Sequence, residues 1–212
     1  MYGDFAQLYD ELMEEFPYED YINSLMELCP PRGKILEIGC GTGTITSFLF
    51  RQGVELLALD PSEEMLSFAK RKVPQVNFVQ GKIEDLSLGT FNQIYACVDI
   101  LNYYLDKSTL REFLEAVKRH CKGSFFFDLR HPKAMKEELS GRTYYYEAPL
   151  GDLVWNNEEI EENLLWQELI FYWKEEELYR KGFEEMYQRI WAMEEIEGLL
   201  LECGFNLLQK KE

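Results

Sequence analysis

The sequence predicts a doubly wound α/β core whose chain is interrupted, after its fifth strand, by an antiparallel β insertion. Three observations carry this. Short apolar runs alternate with amphipathic helical stretches between residues 34 and 129, the pattern of a parallel sheet covered on both faces. The first of these strands runs straight into LEIGCGTG (36–43), with glycine at 39, 41 and 43. Beyond Pro132 the texture changes to long, aromatic, partly alternating stretches, which is how half-buried antiparallel strands read.

Taken in order, Phe5, Leu8, Tyr9, Leu12 and Met13 recur at helical spacing, Pro17 interrupts, and Tyr21, Ile22, Leu25 and Met26 recur again before Pro30 and Pro31. Two amphipathic helices are therefore expected. Residues 34–38 read as a buried strand, 42–52 as a helix closed by Gly53, and 54–60 as a second strand. Ser62 is placed to cap the next helix, with Glu63 and Glu64 favourably set in its first turn. Residues 76–81, 92–98 and 124–129 supply three more strands. The helix before the last of these shows Leu110, Phe113, Leu114, Val117 and Cys121 on one side, and Thr109 with Glu112 has the spacing of a capping box.

After one short helix ended by Gly141, three or four antiparallel strands are expected, broken at Asn156-Asn157 and at 174–177. A helix over 193–203 and a final strand over 205–209 complete the chain. The division is thus a core of 1–131 plus 192–212 and an insertion, or lid, of 132–191.

The totals exclude several functions. Net charge is −17, from 39 acidic and 22 basic residues, and affinity for a phosphate backbone needs basic clusters that are missing. No nucleic acid partner is expected. No apolar run reaches the roughly 20 residues of a membrane span, and the acidic opening is unlike a signal peptide, so no membrane partner is expected either. Five scattered cysteines and two unpaired histidines, His120 and His131, suggest a reducing, cytoplasmic setting and no metal site.

Glycines at 39, 41 and 43, between a strand and its helix, are where an open parallel sheet admits a ligand. A dinucleotide fingerprint would put its third glycine at Thr44, which leaves NAD(P) oxidoreduction as the weaker alternative. The companions favour a nucleoside without a pyrophosphate. Asp60 ends the second strand and suits two ribose hydroxyls, although it could instead cap the next helix. Met65 suits a purine face. Asp85, in GKIEDL, suits an exocyclic amine or is an ordinary turn residue.

On LEIGCGTG, ALDPSEEML, GKIEDL and the opening FAQLYDELM, the chain resembles the class I S-adenosylmethionine-dependent methyltransferases, in the small-molecule branch whose N-terminal segment closes over the cofactor. The resemblance covers about residues 5–130. It implies a Rossmann-like sheet of the seven-stranded type, S-adenosylmethionine as cofactor, and S-adenosylhomocysteine as product. It places the methionine part over Gly39 to Gly41 and the adenine between Met65 and residues 83–86, and it widens the cofactor set to Cys40, Thr42, Pro61, Glu84, Val98 and Asn102. Tyr9 and Tyr18 either cover the cofactor or belong to the core. The insertion takes the place of the family's variable lid, while the family's closing β-hairpin is not legible here.

Methyl transfer from a sulfonium needs a positioned lone pair and a dry site more than it needs a nucleophilic side chain. Asp99, Asn102 and Tyr103 stand where the transfer pocket is expected, and His131 is either a general base or a loop-ordering residue before Pro132. His120, in the last turn of a helix, is expected at the surface. The expected activity is methylation of a small molecule at O or N by in-line displacement. A cofactor-binding regulator without turnover is the further alternative. The aromatic insertion favours a homodimer.

Overall fold

The computed structural model describes residues 6–14, 16–149 and 151–211, except for the side chains of residues 7, 8, 148 and 175. Phe5 and the side chain of Leu8, part of the stripe that predicts the opening helix, lie outside the described residues. The chain runs α1 (Ala6–Leu12), α2 (Tyr18–Leu28), β1 (Lys34–Ile38), α3 (Thr44–Arg51), β2 (Glu55–Asp60), α4 (Glu63–Lys72), β3 (Asn77–Gln80), β4 (Phe91–Ala96), α5 (Lys107–His120) and β5 (Cys121–Phe127). It continues through α6 (Pro132–Ala134), a π turn (Met135–Leu139), β6 (Arg142–Ala148), β7 (Gly151–Glu161), β8 (Leu164–Glu175), β9 (Leu178–Arg189) and α7 (Met193–Glu202).

β1 to β5 form one parallel sheet in the order β3-β2-β1-β4-β5. Helices cover both faces. Leu110, Phe113, Leu114 and Val117 of α5 and Ile196, Leu199 and Leu200 of α7 pack on one face, and Leu25 of α2, Ile45 and Leu49 of α3 and Leu66 of α4 on the other. Each such fully buried side chain is worth roughly 1.5–3 kcal/mol. The doubly wound core is therefore as the sequence predicts. Strand order reverses between β1 and β4, so a crevice opens there beyond the strands' carboxyl ends.

β6 to β9 make a separate antiparallel sheet, in sequence order. One of its faces, with Leu153, Leu169, Phe171, Trp173 and Met186, packs on Ala6 of α1 and Met65 of α4. The insertion and the N-terminal helix thus meet above α4.

Four local expectations are corrected. The cap of α5 is Asp106, which accepts the Thr109 N–H at 2.9 Å, so the Thr109–Glu112 pair lies inside the helix. β7 runs straight through Asn156 and Asn157, because Asn157 is buried and its Oδ1 accepts from Gln167 Nε2 at 2.7 Å. The hairpin instead turns at Asn163, which takes φ +62°. Residues 205–209 form no strand: Phe205 is anchored against Phe125 at 5.9 Å, while Leu207 and Leu208 point into solvent. The parallel sheet accordingly has five strands among the described residues.

Candidate functional site

The glycine turn after β1 has three left-handed residues, Gly39 (φ +69°), Gly41 (φ +53°) and Gly43 (φ +85°). Their reasons differ. A Cβ on Gly39 would lie 2.2 Å from Ile100 Cδ1, and one on Gly43 would lie 3.1 Å from Ala69, so both positions are small because the chain packs there. A Cβ on Gly41 would meet nothing within 4 Å. Of the three, Gly41 is the residue that borders open space.

Asp60, buried at the end of β2, faces this turn. Its Oδ2 accepts the Gly41 N–H at 2.9 Å and its Oδ1 accepts the Ser62 N–H at 2.9 Å. Burial raises its pKa and the two N–H groups oppose that. Each carboxylate oxygen keeps a lone pair for a further donor. Beside it, Ser62 Oγ caps α4 by accepting the Met65 N–H at 3.2 Å, and exposed Pro61 offers its carbonyl to Gln80 at 3.3 Å. Cys40 is buried, and burial next to Glu37 and Asp60 pushes its thiol pKa up, so it is no nucleophile. Glu37, wholly buried in β1, is pushed up to about 8 by desolvation, with Asp60 adding to the rise. Thr46 beside it opposes the rise, and the Oε2 of Glu37 has no hydrogen-bond partner among the described residues.

The N-terminal helix is fastened over this turn. Thr42 Oγ1 makes a short hydrogen bond to Asp10, and Lys72 pairs with the same carboxylate at 2.8 Å and with Thr44 Oγ1 at 2.9 Å. Next to Asp10 in sequence, Tyr9 is partly buried against the antiparallel sheet, and this burial raises its pKa; Tyr18, Tyr103, Asp99 and Asp10 lie close enough to raise it further. Tyr18 packs against the α2–α3 face of the core.

The second wall is the turn after β4. Val98 (φ +63°) and Asp99 (φ +52°) are consecutive non-glycine residues in left-handed backbone, a costly arrangement, above all for a β-branched residue. Asp128, just past β5, holds it: its carboxylate accepts the Val98 N–H at 2.7 Å, the Asp99 N–H at 3.0 Å and the Tyr21 hydroxyl at 2.7 Å. The twist turns the Asp99 carboxylate toward the antiparallel sheet, where Gln188 Nε2 donates to it at 3.0 Å and Arg130 pairs with it at 3.3 Å. The Arg130 guanidinium also stands 6.0 Å from the Trp155 ring. Asn102 is fully buried; its Nδ2 donates to Arg189 O at 2.8 Å and its Oδ1 accepts the Arg130 N–H at 3.1 Å. It joins three segments. His131 is exposed, and its Nδ1 accepts the Lys133 N–H at 3.2 Å as the cap of α6.

Met65 is buried between α1 and the antiparallel sheet. Ile83, Glu84 and Asp85 form a single 3₁₀ turn in which Ile83 is buried and Asp85 exposed. His120 is not at the surface. It is buried, with Nδ1 2.6 Å from Gly89 O and Nε2 3.2 Å from Leu86 O, and so ties down the loop that follows this turn.

The family model described as a methyltransferase domain matches residues 35–124. The putative methyltransferase YqeM of Bacillus subtilis is 32% identical over 215 residues, covering 98% of this chain and 87% of that protein. The chain belongs to the class I S-adenosylmethionine-dependent methyltransferases. An S-adenosylmethionine-dependent methyltransferase from Clostridium acetobutylicum has a crystal structure that matches this one with a TM-score of 0.83 at 27% identity, over 98% of this chain and 89% of that one. The sugar N-methyltransferase KedS8 from Streptoalloteichus matches with a TM-score of 0.78 at 18% identity, over 94% of this chain and 83% of that one, which is a likeness of fold. The nicotinamide alternative falls with this result.

The residues at the crevice fit the cofactor of this methyltransferase. Gly41 leaves room for a ligand, and a buried carboxylate with a spare lone pair on each oxygen suits vicinal hydroxyls. No helix among the described residues is long and apolar enough to cross a membrane. Sequence reasoning missed Asp10, Tyr21, Glu37 and Gln188 as site residues; it expects site side chains from the segment 128–132 but singles out neither Asp128 nor Arg130 there. Asp128 alone carried a signal, as a carboxylate directly after a core strand.

Proposed function

We propose that this methyltransferase methylates a small polar acceptor, at nitrogen or oxygen, in the space between the Val98–Asp99 turn and the inner face of the antiparallel sheet. Residues 1–131 with 192–212 hold the cofactor, and 132–191 shape the acceptor side. The observation that carries this is a pair of buried polar atoms with no hydrogen-bond partner among the described residues, Gln188 Oε1 and Trp155 Nε1. The side chains that bear them face Asp99 and Arg130 respectively. Leaving such atoms unmet costs about 1–3 kcal/mol each, and an acceptor with one donor and one acceptor group answers both.

S-adenosylmethionine, when bound, supplies a methyl group already activated toward in-line displacement. The chain's own residues then bind, orient and exclude water. Asp60 takes the ribose and Gly41 admits the backbone approach. Thr42 and Cys40 hold the turn, Pro61 and Met65 border the base, and Glu84 and Asp85 close its far side. Asp99, fixed by Gln188 and Arg130, orients the amino end or the acceptor, while α1 with Tyr9 and Tyr18 shuts the site from solvent. Val98 and Asn102 support the turn through their backbone and buried amide. We assign His131 to capping and not to proton transfer, because its Nδ1 is engaged and its ring is exposed.

The test has two steps. Calorimetry with S-adenosylhomocysteine should give a saturable signal. Labelled cofactor incubated with a metabolite extract should then transfer label to compounds of small mass, and label that appears only on protein or nucleic acid defeats the proposal.

A further inference from the structure

The outer face of the antiparallel sheet carries exposed aromatic side chains that the site does not use. Register places Tyr145, Val154, Ile170 and Phe183 side by side across all four strands. Tyr145 is 58% and Phe183 65% exposed, and Tyr179 further along β9 is 57% exposed. The inner face is already covered by α1 and α4. A contiguous apolar band of this kind on a soluble chain marks an interaction surface.

The rows on either side of the band say what fits it. On one side register aligns Glu147, Asp152, Tyr172 and Lys181; on the other it aligns Thr143, Asn156, Glu168 and Glu185. A twofold axis lying along the apolar band stacks each strand on its own copy and exchanges the two rows. Lys181 then faces Glu185, Tyr172 faces Glu168, Asn156 faces Asp152, and Thr143 faces Glu147. Every acid in the two rows meets a hydrogen-bond donor. One row further out, Lys174 meets Trp166, and Tyr179 meets Tyr187.

We infer that the occupant of this face is a second copy of the chain, docked sheet on sheet about that axis. Aligned packing of two twisted sheets is a standard arrangement. Three rows across four strands, with two shorter rows at their ends, cover on the order of 600 Å² per copy, which brings the pair to the lower end of stable interfaces. The net charge of −17 opposes encounter at long range, so the dimer should tighten as salt screens that repulsion.

Sedimentation velocity from roughly 1 to 100 μM should show a monomer–dimer equilibrium that shifts toward dimer with added salt. Phe183→Glu should abolish it. Lys181→Glu and Glu185→Lys should each weaken self-association by about tenfold or more, because each sets like charges opposite one another at two symmetry-related places. Mixing those two variants should restore a dimer of one of each, and the double variant Lys181→Glu/Glu185→Lys should dimerise like the wild type. Unchanged circular dichroism and thermal midpoints exclude misfolding at these exposed positions. A wild-type chain that stays monomeric throughout, single variants that dimerise like it, or a mixture that fails to associate would each overturn the inference.

Discussion

The turn after β1 and the turn after β4 border the same crevice, yet they are built in opposite ways. The first is local: three glycines supply the left-handed backbone without steric cost, and its main partner, Asp60, stands one strand over. The second forces valine and aspartate into that backbone and depends on Tyr21, Asp128, Arg130 and Gln188, which come from three separate stretches of the chain. A turn made of glycine is a fixed fitting. A strained turn under a distant clamp ties its own geometry to the packing of the whole molecule, which, in our reading of this turn as the acceptor side, suits the half of the site that must differ from one acceptor to another.

The largest effects should come from the local turn. Asp60→Ala removes the acceptor of two backbone N–H groups and, in our reading, of two hydroxyls. Charge-assisted bonds of this kind are worth about 1.5–3 kcal/mol each, so affinity for S-adenosylhomocysteine should fall at least ~100-fold by calorimetry. The glycines then divide the turn further. Gly41→Ala sends its methyl into open space and should weaken binding by about tenfold, with a strain cost near 1–2 kcal/mol. Gly39→Ala meets Ile100, so its thermal midpoint should drop further than that of Gly41→Ala. Equal binding losses without that difference in stability would erase the distinction between an open and a packed glycine.

The same contrast explains what could be read from the sequence. Parallel strands apolar on both faces and the buried stripe of α5 come from periodicity, which local spacing records. Ser62 and the LEIGCGTG turn are local too. The break expected at Asn156-Asn157 fails because burial and the Gln167 bond override asparagine's preference for turns. His120 was misjudged because helix position says nothing of the loop, 31 residues earlier in sequence, that its ring holds. Gln188 acts only through a tertiary contact that no spacing rule reaches, and the place of Asp128 directly after a core strand marks it without showing which backbone it holds.

Breaking the clamp tests the second turn. Asp128→Asn keeps the shape but sets an amide against at least one of two backbone N–H donors. The Val98–Asp99 backbone should relax, and kcat for methyl transfer should fall roughly tenfold or more, while the affinity for S-adenosylhomocysteine changes less than about threefold. A fall in cofactor affinity as large as that of Asp60→Ala would mean that the two turns form one binding unit.

Glu37 gives a smaller, pH-dependent effect beneath the first turn. Its folded pKa of about 8 lies above the ordinary carboxylate value. The folded state therefore holds this proton more tightly than the unfolded state, and the contribution to stability is favourable at low pH and lost as pH rises toward and through 8. Glu37→Gln keeps the neutral shape. Its thermal midpoint relative to wild type should accordingly rise by a few degrees between about pH 6 and pH 9. A difference independent of pH would mean that the carboxylate is ionised throughout and stabilised by a partner other than those seen.

The smallest effect expected is at His131. With its ring exposed and Nδ1 accepting from Lys133, His131→Asn keeps a capping side chain and should leave kcat within about twofold across pH 6 to 9. His131→Ala should cost the helix start about 0.5–2 kcal/mol. If proton transfer did pass through this ring, both variants would lose activity alike. That result would move the reacting end of the acceptor from the inner face of the antiparallel sheet to the start of α6, and with it the division of labour between the two turns.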